Sequence, residues 1–375
     1  MEYLRRYTRH RHRWLLTGCM VTWLFLFFTC REEERAEQQP RQILLVYLAG
    51  DNNLSGESYQ KLETIRSGWD GDPCGCILIW HDPRDAAPVL YTLVREEGEN
   101  RLQILEEYAE ESSADPAVLS RVVGRMREWY PRASSYGMLL FSHASGWLPE
   151  GALSQPTRSV LTDGSEEMEL TDLAAALPDS LFDFMVFEAC YMAGIEVAYE
   201  LRHKTRYLLA SSAEMVSPGF THVYDDAVNL LLQADLNGFA RRAFSYFESG
   251  TGYINSATLS LIDTSGLEAL ADFIGRYADD QKEVDITTLQ HFDRTSYHLF
   301  FDFEDYYSRL VPVGEPQEQL HRLVSDCVPL RLATPYFMLH YNGFAIEKHS
   351  GMTTYICQDA FPGLNEAYRQ LQWGQ

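Results

Sequence analysis

Four apolar stretches constrain this chain more than any other feature. They are ILLVYLAG (Ile43–Gly50), CILIW (Cys76–Trp80), GMLLF (Gly137–Phe141) and FDFMVF (Phe182–Phe187). A strand with one wet face alternates apolar and polar residues. A run without that alternation suits a strand buried on both faces, as in a parallel sheet covered by helices. Helical signals lie between these runs. DPAVLSRVVGRMREWYP has Asp115 as N-cap, Pro116 in the first turn and Pro131 beyond its end. Further helices are expected around Thr171–Ala176 and over Tyr191–Arg202, a strand at Arg206–Ser211, and a hairpin turning at Glu97–Asn100. Strands alternating with helices imply a doubly wound, mostly parallel α/β sheet with its chemistry at the carboxyl ends of the strands.

This pattern fills residues 43–220. From 221 to 375 helices dominate, at His222–Leu232, Leu236–Glu248, Ser265–Tyr277 and Gln317–Val324. Strands are expected at Ala257–Ile262, Phe337–Tyr341 and Thr353–Cys357. This half reads as a helix-rich extension of the same core or a small second domain.

The first residues read differently. Five arginines between Arg5 and Arg13 precede an apolar stretch, Trp14–Phe28, that is short for a membrane span of ~20 residues. Residues 1–29 are therefore expected to be an export signal, with a retained signal anchor as the alternative. Cys30 directly follows the apolar stretch, resembling the lipidated cysteine of a bacterial lipoprotein. Residues 30–42 read as a charged tether. Export with a lipid anchor at the bacterial cell envelope, on the outer membrane or cell surface, is the expectation.

Removing the five arginines and single acid of residues 1–29 takes the formal charge from −23 to −27. Such a surface repels nucleic acid and anionic lipid, so no nucleic-acid partner is expected. Five cysteines remain, Cys74, Cys76, Cys190, Cys327 and Cys357, without a CxxC pair or metal-ligand spacing. No metal centre is expected on that basis. Asp51-Asn52-Asn53 and Asp163-Gly164 offer oxygens to calcium, but turn or capping roles explain them better.

Two of the apolar runs end in reactive side chains, Ser142-His143 and Ala189-Cys190. With LVYLAGDNNLS and YLLASSAEMVSPG, the segments LLFSHASGW and FDFMVFEACYMAGIEVAYEL occur in an order that resembles the clostripain-like cysteine peptidases, which have a caspase-like fold. The resemblance covers roughly Ile43–Gly219 well and the rest loosely. It implies Cys190 as nucleophile, His143 as acid/base, and a peptide or protein as substrate. The helix expected after Cys190 would favour its thiolate, and the backbone N–H groups of Ala144 and Cys190 would hold the oxyanion.

Glu188 falls where the family has an aspartate that receives an Arg or Lys side chain, so cleavage after a basic residue is expected. Two departures matter. Ala144 replaces a glycine, which is tolerable where the backbone does not need positive φ. Phe220 stands near the position of a second pocket acid and is expected as an aromatic wall. Family members often cut themselves in the loop after the histidine, where Arg158 is the only basic residue between His143 and Cys190. The enzyme is expected to act as a monomer. A non-catalytic binding lipoprotein on this scaffold, or a hydrolase of another acyl substrate, are the competing functions.

Overall fold

The computed structural model describes residues 40–152, 159–279 and 281–375; Cys30 and Arg158 lie outside them. The first apolar run forms β1 (Gln42–Gly50), and its residues divide between two cores. Ile43, Leu45, Tyr47 and Ala49 pack into one apolar cluster, and Leu44, Val46 and Leu48 into a second on the opposite face. This double burial is why the run lacks polar alternation.

Eight more strands complete the sheet. They are β2 (Gly75–Pro83), β3 (Val89–Glu96), β4 (Glu99–Glu107), β5 (Ser135–Phe141), β6 (Phe182–Glu188), β7 (Thr205–Ala210), β8 (Thr258–Asp263) and β9 (Leu330–Ala333). Their spatial order is β9-β8-β7-β6-β5-β1-β2-β3-β4. The central strands β2, β1, β5, β6 and β7 pair in parallel, while both edges are antiparallel. The β3–β4 hairpin turns at Glu97-Gly98, both with positive φ, as a two-residue hairpin loop requires. Strands β8 and β9 come from beyond residue 221 and extend the sheet that 43–220 begins.

Helices cover both faces. The layer containing β1's even-numbered residues takes α1 (Ser55–Gly68), α5 (Tyr224–Leu232) and α6 (Leu236–Glu248). The other takes α2 (Pro116–Trp129), α3 (Leu170–Ala176), α4 (Ile195–Glu200), α7 (Leu267–Tyr277), α8 (Phe303–Leu310) and α9 (Glu315–Cys327). Asp115 caps α2, its carboxylate accepting from Ala117 N at 2.8 Å. Among the described residues no helix is long and apolar enough to cross a membrane.

Three expectations need correction. The helix expected over Tyr191–Arg202 forms only at Ile195–Glu200. Tyr191 has φ +61°, and its N–H donates to Ala213 O at 2.9 Å. Ala193 N–H donates to Ser211 O at 2.9 Å while its carbonyl accepts from Thr353 N at 3.0 Å. These backbone groups are committed across the loop and cannot close helical turns. The strand expected at Phe337–Tyr341 is confined to Tyr336–Phe337, which pairs with Phe344–Ala345 around a turn holding Met338, His340 and Asn342 at positive φ. The strand expected at Thr353–Cys357 spans only Thr353–Thr354, paired with Phe301–Asp302.

Candidate active site

The site begins with strand register. In the parallel pair β5–β6, Phe141 stands opposite Glu188. Two residues further along each chain are His143 and Cys190, at the carboxyl end of adjacent strands. Parallel neighbours lie about 4.8 Å apart, so the two residues leave the sheet from adjacent strands. Both line one cleft of about 340 Å³, with Leu54, Glu57, Glu188, Glu214, Met215 and Arg294 among the other walls. The chain runs from β1 outward to β2 and returns to β5 on β1's other side. The cleft therefore opens at the topological switch point, where open α/β sheets gather their ligands.

His143 is held by a residue from the β1 end of that switch. Its Nε2 lies 2.5 Å from the Asn53 side-chain oxygen, so the ring donates from Nε2. Sequence reasoning gave Asn53 no role beyond the Asp51–Asn53 turn. In that turn the Asn52 side-chain oxygen accepts from Leu54 N at 2.8 Å, and its amide donates to Thr162 O at 3.1 Å. The Asp163 carboxylate accepts from Ser113 N. Asn52 and Asp163 thus serve turn and loop contacts.

Cys190 is half-buried, and its sulfur accepts from Met215 N at 3.2 Å. With the following helix starting only at Ile195, the expected dipole support for the thiolate is withdrawn. Met215 N–H supplies a donor instead, and the Arg294 guanidinium lies within electrostatic reach of the sulfur. Arg294 comes from the second half of the chain. It donates through Nε to Glu214 at 2.6 Å and through Nη1 to Tyr341 O at 2.7 Å.

The glycine question resolves one turn further on. Ala144 is buried, and its backbone stays out of the left-handed region. The positive φ, +67°, belongs to Gly146. A Cβ there would stand 2.7 Å from Tyr191 O. The loop after His143 therefore rests directly on the loop after Cys190, and Tyr191 is stacked on Phe300 with centroids 4.3 Å apart.

Glu188 lines the cleft but is not open to it. Its side chain is fully buried, and Lys61 Nζ approaches Oε1 at 2.6 Å. Phe220 N also donates to Oε1, and the Tyr224 hydroxyl to Oε2. Burial pushes its carboxyl up, while Lys61 and these donors pull it down. Gly219, at φ +59°, lets the loop close over this carboxylate: a Cβ there would meet Oε1 at 2.2 Å. Phe220 is not the aromatic wall expected of it. Its ring is 1% exposed and packs edge-on against Phe239, beneath the cleft.

His298, to which the sequence assigned nothing, joins His291 and Asp293 as a group able to offer three metal-ligand atoms. The two imidazoles stack with centroids 3.4 Å apart and planes 14° apart. Lone pairs in two such parallel planes do not converge on one ion. The Asp293 carboxylate instead ties down the backbone of Leu299 and Phe300.

A sequence profile of the clostripain family matches residues 46–327. Among solved structures, an inactive zymogen C11 protease from Parabacteroides distasonis is 33% identical with a TM-score of 0.79, covering 89% of this chain and 97% of that one. A secreted C11 cysteine protease from Bacteroides thetaiotaomicron, solved with an irreversible peptide inhibitor, is 25% identical with a TM-score of 0.76, covering 88% and 97%. No curated protein sequence matches the chain.

Proposed function

Since this chain belongs to the clostripain family of cysteine proteases and has their caspase-like fold, we propose that it is an exported endopeptidase working through a Cys190–His143 dyad. The observation that carries the reading is the strand register that brings both residues to one cleft. The Cys190 thiolate attacks the scissile carbonyl and forms a tetrahedral intermediate. Backbone N–H groups of Ala144 and Cys190 receive the negative oxygen. His143 gives its proton to the departing amine, releasing it and leaving a thioester on Cys190. The imidazole then takes a proton from water, whose oxygen attacks the thioester carbonyl; the acid product leaves and the thiolate and protonated imidazole are restored.

Asn53 supports this cycle by fixing the imidazole ring, and Met215 N–H and Arg294 by favouring the thiolate. No step requires a metal ion or cofactor. In place of the basic P1 residue expected from the sequence, the buried ion pair of Glu188 with Lys61 favours an uncharged one. On that reading Arg158 is a poor P1 residue, so a maturation cut after it, which the zymogen form of the Parabacteroides relative suggests, is proposed to be made by another protease. Export is supported by the relative described as secreted, and lipidation at Cys30 and monomeric action complete the proposal.

The test is turnover of fluorogenic peptides differing at P1 by the purified chain, with and without EDTA, beside Cys190→Ala. Turnover that the variant lacks and EDTA spares is the expected result. Turnover surviving in Cys190→Ala overturns the dyad. No turnover by either protein makes the chain a binding module.

A further inference from the structure

Lys61 is the charged group at this cleft that the chemistry above does not use. A lysine without exposed surface is rare unless its charge is met, and its side chain is 0% exposed. It sits on α1, and its ammonium reaches Glu188 Oε1 at 2.6 Å, Thr221 Oγ1 at 2.7 Å, Pro218 O at 3.1 Å and Glu57 Oε1 at 3.1 Å. It also stands 4.4 Å from the centre of the Phe141 ring. Every one of its N–H donors is used within the protein.

The acids tell the same story from the other side. Glu188 accepts from Lys61, Phe220 N and Tyr224. Glu57 gives one oxygen to Lys61 and takes the Ser217 hydroxyl on the other at 2.7 Å. Glu214 is paired with Arg294. Each carboxylate that lines the cleft is thus already bound to a donor of this chain. A substrate arginine or lysine entering here finds no acceptor to itself, and at Glu188 it meets a like charge in a poorly solvated place. Leu54, Phe141, Met215 and Val216 add apolar wall, and beyond the dyad the one further charge lining the cleft among the described residues is the Arg294 guanidinium, itself a cation.

We propose that Lys61 sets the specificity of this peptidase: its ammonium occupies the seat on Glu188 that a basic substrate side chain would take, so the pocket admits uncharged P1 residues and rejects arginine and lysine. The inference rests on the dyad reading above, and its test separates the two. Fluorogenic peptides alike from P4 to P2 carry Leu, Met, Phe, Gln, Arg or Lys at P1. The readout is the ratio of kcat/KM between P1 residues within each protein, which cancels differences in the amount folded. In parallel, labelled peptides of the same series are titrated against Cys190→Ala by fluorescence anisotropy, which needs no turnover.

The wild-type chain is expected to prefer uncharged P1 residues over arginine by on the order of a hundredfold, and Cys190→Ala to bind them in the same order. Lys61→Met keeps the apolar stem and releases Glu188. It moves the ratio toward arginine and lysine by at least about tenfold. The double variant Lys61→Met/Glu188→Gln carries neither charge, guards against failure of the single variant to fold, and returns the ratio to the uncharged side. Wild-type preference for arginine or lysine, in turnover or in binding, overturns the proposal. So does a folded Lys61→Met with an unchanged ratio, or a double variant that favours basic residues.

Discussion

Replacing Glu196 by glutamine should remove a pH dependence from the stability of this protein. Glu196 lies in the first turn of α4 and is 1% exposed. One carboxylate oxygen accepts from Tyr355 N at 2.7 Å and from the Thr354 hydroxyl at 3.2 Å. The other is buried with no partner among the described residues. Burial raises the carboxyl from the ordinary 4.5 to about 7, against the pull of Tyr355 N–H, its own N–H and the Thr354 hydroxyl. The folded state thus holds the proton more tightly than the unfolded chain. The stability this group supplies is complete below pH 4.5 and is lost as pH rises through 7, a change of about 3 kcal/mol. Glutamine keeps an oxygen for Tyr355 and Thr354 and does not ionise. Urea unfolding of the wild type and Glu196→Gln at pH 5, 6, 7 and 8 isolates the effect, because every other titrating group cancels between them. The variant should gain on the wild type by about 3 kcal/mol across that range. Parallel stability curves, or a gap that moves in the wild type's favour as pH rises, would refute the reasoning.

Asn53→Ala should lower kcat/KM by about tenfold or more, the loss of one hydrogen bond orienting the base. Asn53→Asp should restore the rate and carry the alkaline limb of the pH–rate profile upward, since an anion beside His143 favours its protonated form; a merely structural asparagine would leave that limb in place. A second stability test concerns Asp82, which is buried, binds the Ser113 hydroxyl at 2.5 Å through one oxygen, and lies near Asp163 and Asp51. Burial first, then the neighbouring acids, raise its carboxyl above the usual range, so its contribution too is lost as pH rises beyond that range. Asp82→Asn should therefore stabilise the protein by about 1 kcal/mol or more at pH 8.5 and change little near pH 5 in urea titrations, whereas equal shifts at both pH values would exclude this origin.

The central strands, and the placing of His143 and Cys190 just past the ends of two of them, were legible because burial on both faces writes itself into composition. Ile43–Ala49 and Met138–Phe141 carry no polar residue at all. The segment after Cys190 misled because YMAGIEVAYEL has helical spacing throughout, while hydrogen bonds to Ala213, Ser211 and Thr353 decide where helix begins. Nothing local announces those partners. Lys61 was invisible for the same reason. One lysine in the helix GESYQKLETIRSG looks like a solvated side chain, and its partner Glu188 lies 127 residues away. Phe220 was assigned by position beside Pro218-Gly219, yet an aromatic ring next to an α/β core gains more from packing on Phe239 than from facing the cleft. The edge strand Leu330–Ala333 pairs on one side only, which leaves too short a pattern to read.

The contact of Gly146 with the carbonyl of Tyr191 has a mechanical meaning. His143 and Cys190 follow separate strands, but the loops after them lean on each other with no space for even a methyl group at Gly146. Whatever displaces one, whether a bound peptide, a nearby cut or a substitution, must shove its neighbour. The two loops therefore hold their places jointly.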